Sequence, residues 1–140
     1  MITHVNINEL ELNEFIAQDD SSQRCKATFP MFAPHGTRET ATVYFELDPG
    51  ENLGMHTDSA EELLYIIDGR AEVTVGDSHG IAEAGSLALV PKMVPHDLRN
   101  AGTGKVKVLG FFGGANNIVA TFEKTWNPVN SNTVDTSQMY

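Results

Sequence analysis

The chain has 140 residues, 41% of them hydrophobic, which suits one compact domain with a core of its own. No apolar run approaches the ~18 residues of a spanning helix, and no basic flank with an apolar stretch opens the chain, so neither a membrane span nor a secretory leader is expected. The net charge of −10 repels phosphate backbones and anionic lipid heads, so no nucleic-acid or membrane partner is expected. Cys25 is the only cysteine, which forbids an internal disulfide and fits a cytoplasmic location.

Residues 1–24 read as a lead-in. Thr3 to Asn8 alternates weakly, as an edge strand does. Asn8 is placed to cap a short helix from Glu9 to about Ala17, with Leu10, Leu12, Phe15 and Ile16 as its apolar positions. Gln18 to Gln23 is polar and reads as a loop.

From about residue 25 short β-rich runs alternate with turn signals. Thr40–Leu47 is a predicted strand, ended by Asp48-Pro49-Gly50, which suits a type II turn. Asn52–Thr57 reads as extended and Glu62–Ile67 as a strand, followed by Asp68-Gly69, a two-residue hairpin signal. Arg70–Val75 returns, and Gly76 to Gly80 turns again. Leu87–Val90 stops at Pro91, Pro95–Asn100 is extended, and Lys105–Phe112 is the last clear strand. Pro91 and Pro95 argue against central-strand positions. Seven or eight short strands at this spacing predict an all-β sandwich or barrel. The weakly charged tail, Asn127–Tyr140, reads as disordered or as lying on a neighbouring subunit, with Phe122 and Trp126 able to anchor its start.

One stretch concentrates metal-ligand side chains: His56-Thr57-Asp58-Ser59-Ala60-Glu61-Glu62. Residues two apart in a strand share a face, so His56 and Asp58 point together, and Glu62 joins them after a bend. His96 begins another extended run 40 residues on. Imidazole with carboxylate suits Fe, Mn, Zn or Ni.

Glycines and prolines frame these residues at spacings that resemble the cupin family. Its first motif, G-x5-H-x-H-x3-E-x6-G, is met by Gly50, His56, Asp58, Glu62 and Gly69. Its second, G-x5-P-x-G-x2-H-x3-N, is met by Gly85, Pro91, Met93, His96 and Asn100. Every spacing is intact. The resemblance implies a single-domain double-stranded β-helix, a jelly-roll barrel with a short N-terminal helix or strand lead-in. It divides the chain into lead-in 1–24, barrel 25–115 and C-terminal extension 116–140. It implies one divalent metal ion held by His56, Glu62 and His96, with iron(II) first and Mn, Zn or Ni as alternatives. It also suggests a homodimer, with residues 1–30 available for exchange between subunits.

Two positions depart from the family pattern. Asp58 stands where the second histidine is expected; it is read as a fourth ligand, with an orienting role or a degenerate site as alternatives. Met93 stands where a glycine is expected and would be strained if that position needs a positive φ. The distant His and H-x-D also resemble the triad of 2-oxoglutarate-dependent oxygenases, which need a basic residue; Arg99 is out of phase and Arg38 is a weak candidate.

Alternation places Val43, Phe45, Leu64, Leu98, Val108 and Phe112 inward, lining an apolar pocket for a small, weakly polar substrate. Glu62 and Asp58 are the candidate catalytic carboxylates. The expected function is a metal-dependent enzyme acting on a small organic molecule, most naturally a non-haem iron oxygenase. The alternatives are a non-redox isomerase, lyase or cyclase, and a non-catalytic binding module. His4, His35 and His79 read as solvated, and Cys25 as a buried thiol.

Overall fold

A computed structural model describes all residues, 1–140. Twelve strands run in chain order: β1 Asn13–Ala17, β2 Asp20–Thr28, β3 Thr40–Leu47, β4 His56–Asp58, β5 Glu61–Asp68, β6 Arg70–Val75, β7 Ser78–Glu83, β8 Leu87–Val90, β9 His96–Asn100, β10 Val106–Gly113, β11 Val119–Asn127 and β12 Ser131–Asp135. They form one antiparallel sheet in the order β7-β6-β9-β4-β11-β1-β2-β3-β10-β5-β8, with β12 beside β11, rolled into a nearly closed jelly-roll barrel. No helix is long and apolar enough to cross a membrane.

The expected alternation holds on the walls. Val106, Val108, Gly110 and Phe112 of β10 are buried, and so are Glu62, Leu64 and Ile66 of β5. The type II turn forms at Asp48–Glu51, with Gly50 at φ 85° and the Glu51 N–H on the Asp48 carbonyl. Strand β8 ends before Pro91 and β9 starts after Pro95.

Four expectations are corrected. Glu9–Ala17 is not a helix. A 3-10 turn at Ile7–Glu9 is capped by Asn6, whose side chain accepts from the Asn8 N–H, and β1 follows. The apolar spacing of Leu10, Leu12 and Phe15 fits a strand as well as a helix. Pairing of β1 with β2 and β11 decides between them. Gln18–Gln23 is likewise not all loop: β2 starts at Asp20.

Asp68-Gly69 is not a hairpin. β5 pairs with β10 and β8, while β6 pairs with β7 and β9, so Gly69 is a corner where the chain changes sides of the barrel. Its φ is 89°, and a Cβ there would lie 2.6 Å from the Lys105 carbonyl oxygen. The hairpin is at Gly76-Asp77, between β6 and β7.

The tail is ordered too. β11 pairs with β4 and β1, β12 folds back on β11, and Thr136 is fully buried, its hydroxyl accepting from the Ile118 N–H.

The interior holds two hydrophobic clusters. The larger has 13 buried residues, including Phe45, Leu47, Leu64, Ile66, Leu98 and Val108. The smaller has six: Phe32, Ala41, Ala60, Phe112, Ile118 and Ala120. A cavity of ≈ 90 Å³ is lined by residues of both.

Candidate metal centre

His56 on β4 and His96 on β9 are direct cross-strand partners, which brings two residues 40 apart in sequence side by side. Their ring centroids are 4.1 Å apart. Asp58 follows two residues after His56 on the same face, and Glu62 enters from β5 on the other half of the barrel. All four are buried. The donor atoms of His56, Asp58 and His96 lie within 4.8 Å of one another, a group that could hold a metal ion. Glu62 stands at its edge, with Oε1 3.6 Å from His96 Nε2.

Backbone carbonyls fix the two rings. His56 Nδ1 is 2.9 Å from the Gly54 carbonyl and His96 Nδ1 is 2.9 Å from the Val94 carbonyl. A carbonyl only accepts, so each Nδ1 carries the proton. In the neutral rings each Nε2 then presents a lone pair to the cavity.

The local supports follow from the sequence around the ligands. Gly54 has φ 78°, and a Cβ there would meet the Gln23 side chain at 2.3 Å. Its N–H donates to Asp97 Oδ1, so the peptides that orient His56 are held from both sides. Met93 has φ 63°, and its N–H donates to the Asp58 carbonyl. The strain expected there is real, and the residue that bears it ties the β8–β9 turn to β4. Gly110 makes room for Glu62: a Cβ on it would lie 2.4 Å from Oε2.

The donor chemistry fits a cation. Asp58 Oδ2 and His96 Nε2 are 3.0 Å apart and buried, and with the proton on Nδ1 neither has a hydrogen to give the other. Two buried lone pairs that face each other are costly unless a cation, a proton or a metal ion, lies between them. A metal ion needs only lone pairs converging on a point, so it would satisfy both. The electrostatics agree. Burial pulls the His96 imidazole down, but the nearby Asp58 and Glu62 outweigh it and push its pKa up to about 10. A proton there and a metal ion would compete for the same negative field. Burial, with Asp58 adding to it, pushes the Glu62 carboxyl up to about 8 against the pull of His96. Burial and the neighbouring His96 pull His56 down to about 4, which keeps it neutral.

Of the six expected lining residues, Val43, Phe45, Leu64, Leu98 and Phe112 border the cavity. Val108 does not. It packs in the larger cluster, one pair of residues too far along β10. Residues outside the motif strands supply the rest of the wall: Phe15, Cys25, Ala27 and Phe29 from the N-terminal side, and Ile118, Ala120, Phe122, Trp126 and Val134 from the C-terminal side. Phe122 pairs with His56 across β11 and β4, and its ring stacks on the imidazole at 4.5 Å. Cys25 is buried, and burial pushes its thiol up to about 12. No lysine or arginine lines the cavity. Arg38 is exposed, and Arg99 faces outward, 3.3 Å from Glu72. His4, His35 and His79 are exposed.

The chain matches the cupin domain over residues 43–112, half of its length, and belongs to the cupin family. No curated protein matches it significantly in sequence. Among solved structures it resembles the oxalate decarboxylase of Lactobacillus farciminis in a formate complex, with TM-score 0.65 and 20% identity over 95% of this chain and 35% of that one. It also resembles the oxalate decarboxylase of Bacillus subtilis, studied for its Mn(II) centres, with TM-score 0.64 and 18% identity over 77% of this chain and 30% of that one. The polyketide cyclase RemF of Streptomyces resistomycificus matches with TM-score 0.65 and 16% identity over 81% of this chain and 80% of that one. The chain thus spans about a third of the oxalate decarboxylases and most of the length of the cyclase. At these identities the likeness is one of fold.

Proposed function

We propose that this cupin is a metal-dependent enzyme acting on a small organic molecule in its apolar cavity. The observation that carries the reading is the convergence of His56, Asp58 and His96 on one point at the cavity wall, with two buried donor atoms left unpaired. These three would hold a divalent ion, and Glu62 would complete the set or act on substrate beside it. Asp58 is then a direct ligand. A second carboxylate suits a hard divalent ion, with iron(II) preferred and Mn, Zn or Ni as alternatives.

Bound there, iron(II) would supply oxygen chemistry, whereas a redox-inert ion would supply Lewis acidity alone. The chain's own residues do the rest. The aromatic wall excludes water from the reacting end. Glu62, buried and set back from the three-ligand group, would take or give a proton at substrate. We give iron-dependent oxygenation as the first reading. A non-redox cyclisation or isomerisation is the second, favoured by the cyclase that matches this chain over most of both lengths.

Elemental analysis of freshly purified protein decides the metal. His56→Ala should abolish metal retention, and Asp58→Ala should do so nearly as fully. Retention in Asp58→Ala alone would move Asp58 to an orienting role. Anaerobic iron(II) loading followed by oxygen uptake with diketones, phenols and thiols tests the first reading. Turnover with Zn or Ni and no oxygen would establish the second.

The reading extends to a cytoplasmic homodimer. Within one chain β1 and β2 pair with β11 and β3, the contacts that an exchange of residues 1–30 between subunits would reproduce. The outer face of β10-β5-β8 also exposes Phe111, Leu63 and Leu89 as one cross-strand row and Tyr65 with Leu87 as the next. β8 is also an edge strand. A second copy would cover both the apolar face and the open edge. Light scattering should give a dimer mass, lowered to a monomer by Leu89→Lys.

A further inference from the structure

His56 reaches the cavity only because its strand carries one residue too many. Upstream of β4 the chain already runs beside β9: Asn52 bridges Arg99, and the Leu53 N–H donates to the Leu98 carbonyl. His56 then pairs with His96. Three residues, 53–55, stand between Asn52 and His56, against two, 97 and 98, between Arg99 and His96. The surplus residue makes a β-bulge. Its effect is visible in the side chains. In a regular strand residues three apart face opposite sides. Leu53 and His56 are nevertheless both buried, and both line the cavity. Without the bulge, a strand that keeps Leu53 inside would turn His56 out.

Gly54 sits in the bulge at φ 78°. Neither its N–H nor its carbonyl has a backbone partner, as befits a residue left out of the ladder. Side chains use both instead. The carbonyl lies 2.9 Å from His56 Nδ1, and the N–H donates to Asp97 Oδ1 at 2.9 Å. Asp97 follows His96 in β9, so its side chain leaves the opposite face of the strand and does not line the cavity. The Asn52 amide offers a second acceptor. With its nitrogen on the Ser22 carbonyl at 3.2 Å, its oxygen lies 3.1 Å from the Gly54 nitrogen. Asp97 is the nearer, and a carboxylate is the stronger acceptor.

We propose that Asp97 is a positioning residue of the metal centre: it fixes the bulge by holding the Gly54 N–H, and the bulge aims His56 into the group with Asp58 and His96. Both cupin motifs leave its position unspecified. The proposal rests on the metal-centre reading for what His56 does, and on the bulge alone for how His56 is aimed.

The first measurement needs no variant. In metal-free wild-type protein, NMR should show a through-hydrogen-bond coupling between the Gly54 amide nitrogen and the Asp97 carboxyl carbon. Coupling to the Asn52 side-chain carbonyl in its place would overturn the proposal. The second measurement compares Asp97→Asn, which keeps an oxygen acceptor and loses the charge, with Asp97→Ala, which loses both. Two-bond proton–nitrogen spectra of the metal-free proteins report the His56 tautomer. Wild type and Asp97→Asn should hold the proton on Nδ1, whereas Asp97→Ala should give a mixture of tautomers. Cobalt(II) affinity, read by competition with a chelator, should fall about 10-fold in Asp97→Ala, with altered d–d bands, and hardly in Asp97→Asn.

An Asp97→Ala protein that loses stability but keeps the wild-type tautomer and cobalt(II) spectrum would overturn the proposal, since Asp97 would then serve the fold alone. Asp97→Asn failing as badly as Asp97→Ala would overturn it too, because the charge and not the hydrogen bond would matter. The metal reading fails separately. Wild-type protein that takes up no cobalt(II) would remove the metal, and the His56 tautomer would still decide for or against Asp97.

Discussion

The two hydrophobic clusters of the barrel differ in more than size. The larger is built mainly from β3, β5, β6, β8, β9 and β10, the strands that carry or flank the two motifs, and its central residues Leu47, Ile66 and Val106 have no exposed surface. The smaller is assembled from the chain before β3 and after β10, with Ala41, Ala60 and Phe112 between. The cavity touches both. The difference suggests a division of labour in which the residues of the larger cluster away from the cavity, such as Leu47, Ile66 and Val106, hold the barrel together, while Phe45, Leu64 and Leu98 join Phe112, Ile118 and Ala120 in shaping what it can bind.

Ile66→Ala should expose that division most sharply. It empties a fully buried site in the larger cluster and should cost roughly 2–5 kcal/mol by denaturant unfolding, with the metal-to-protein ratio unchanged. Ile118→Ala in the smaller cluster borders the cavity, so its deletion enlarges an existing space. It should cost less, about 1–2 kcal/mol, and should alter ligand affinity instead. Equal costs, or an unchanged ligand profile in Ile118→Ala, would break the comparison.

Gly110→Ala acts where the two halves meet. The new methyl would collide with Glu62 Oε2 and with Val43 Cγ1 at 2.9 Å, so one of them must move. The expected cost is about 1–3 kcal/mol, from overpacking. The sharper readout is metal affinity. If Glu62 completes the ligand set, the affinity falls; if Glu62 serves only substrate, metal binding persists and turnover falls.

The motif strands were legible from sequence because their turns need particular residues at particular places. Gly50 and Gly69 adopt positive φ, and the prolines at 91 and 95 bound β8 and β9, so spacing alone located His56, Asp58, Glu62 and His96. The spacing could not tell a hairpin from a corner at Asp68-Gly69, since the turn chemistry is the same and only distant partners differ. The strands β1, β2, β11 and β12 were missed because their hairpins carry no strong turn signal and their seats in the barrel depend on other partners, β1 on β11, β2 on β3 and β11 on β4. Phe15 meets Cys25 within the β1–β2 hairpin, but Phe122 meets His56 only once the sheet has closed. Half of the cavity wall was therefore hidden, including Trp126, whose position in the chain suggested an anchor for the tail. Gly54 carried no signal in isolation; both its positive φ and the Gln23 side chain packed where a Cβ would lie are set by the fold.

Met93 offers the finest test, because its effect should be small and of opposite sign to the others. It sits in the left-handed region at φ 63°, where an ordinary side chain costs about 1–2 kcal/mol, and its own side chain is 55% exposed and contributes little packing. Met93→Gly removes that strain but adds freedom to the unfolded chain worth about 0.5–1 kcal/mol, so the net gain should be a fraction of a kcal/mol, or a rise in Tm of about 1–4 °C. The N–H that donates to the Asp58 carbonyl is kept, so metal affinity should not change. Met93→Ala is the control, since it trims the same exposed side chain and keeps the strained backbone. A gain in Met93→Gly without one in Met93→Ala assigns the cost to backbone conformation. Equal gains would assign it to the exposed thioether. A gain accompanied by weaker metal binding would show that strain at this turn holds Asp58 in place, and would join the turn to the functional side of the barrel.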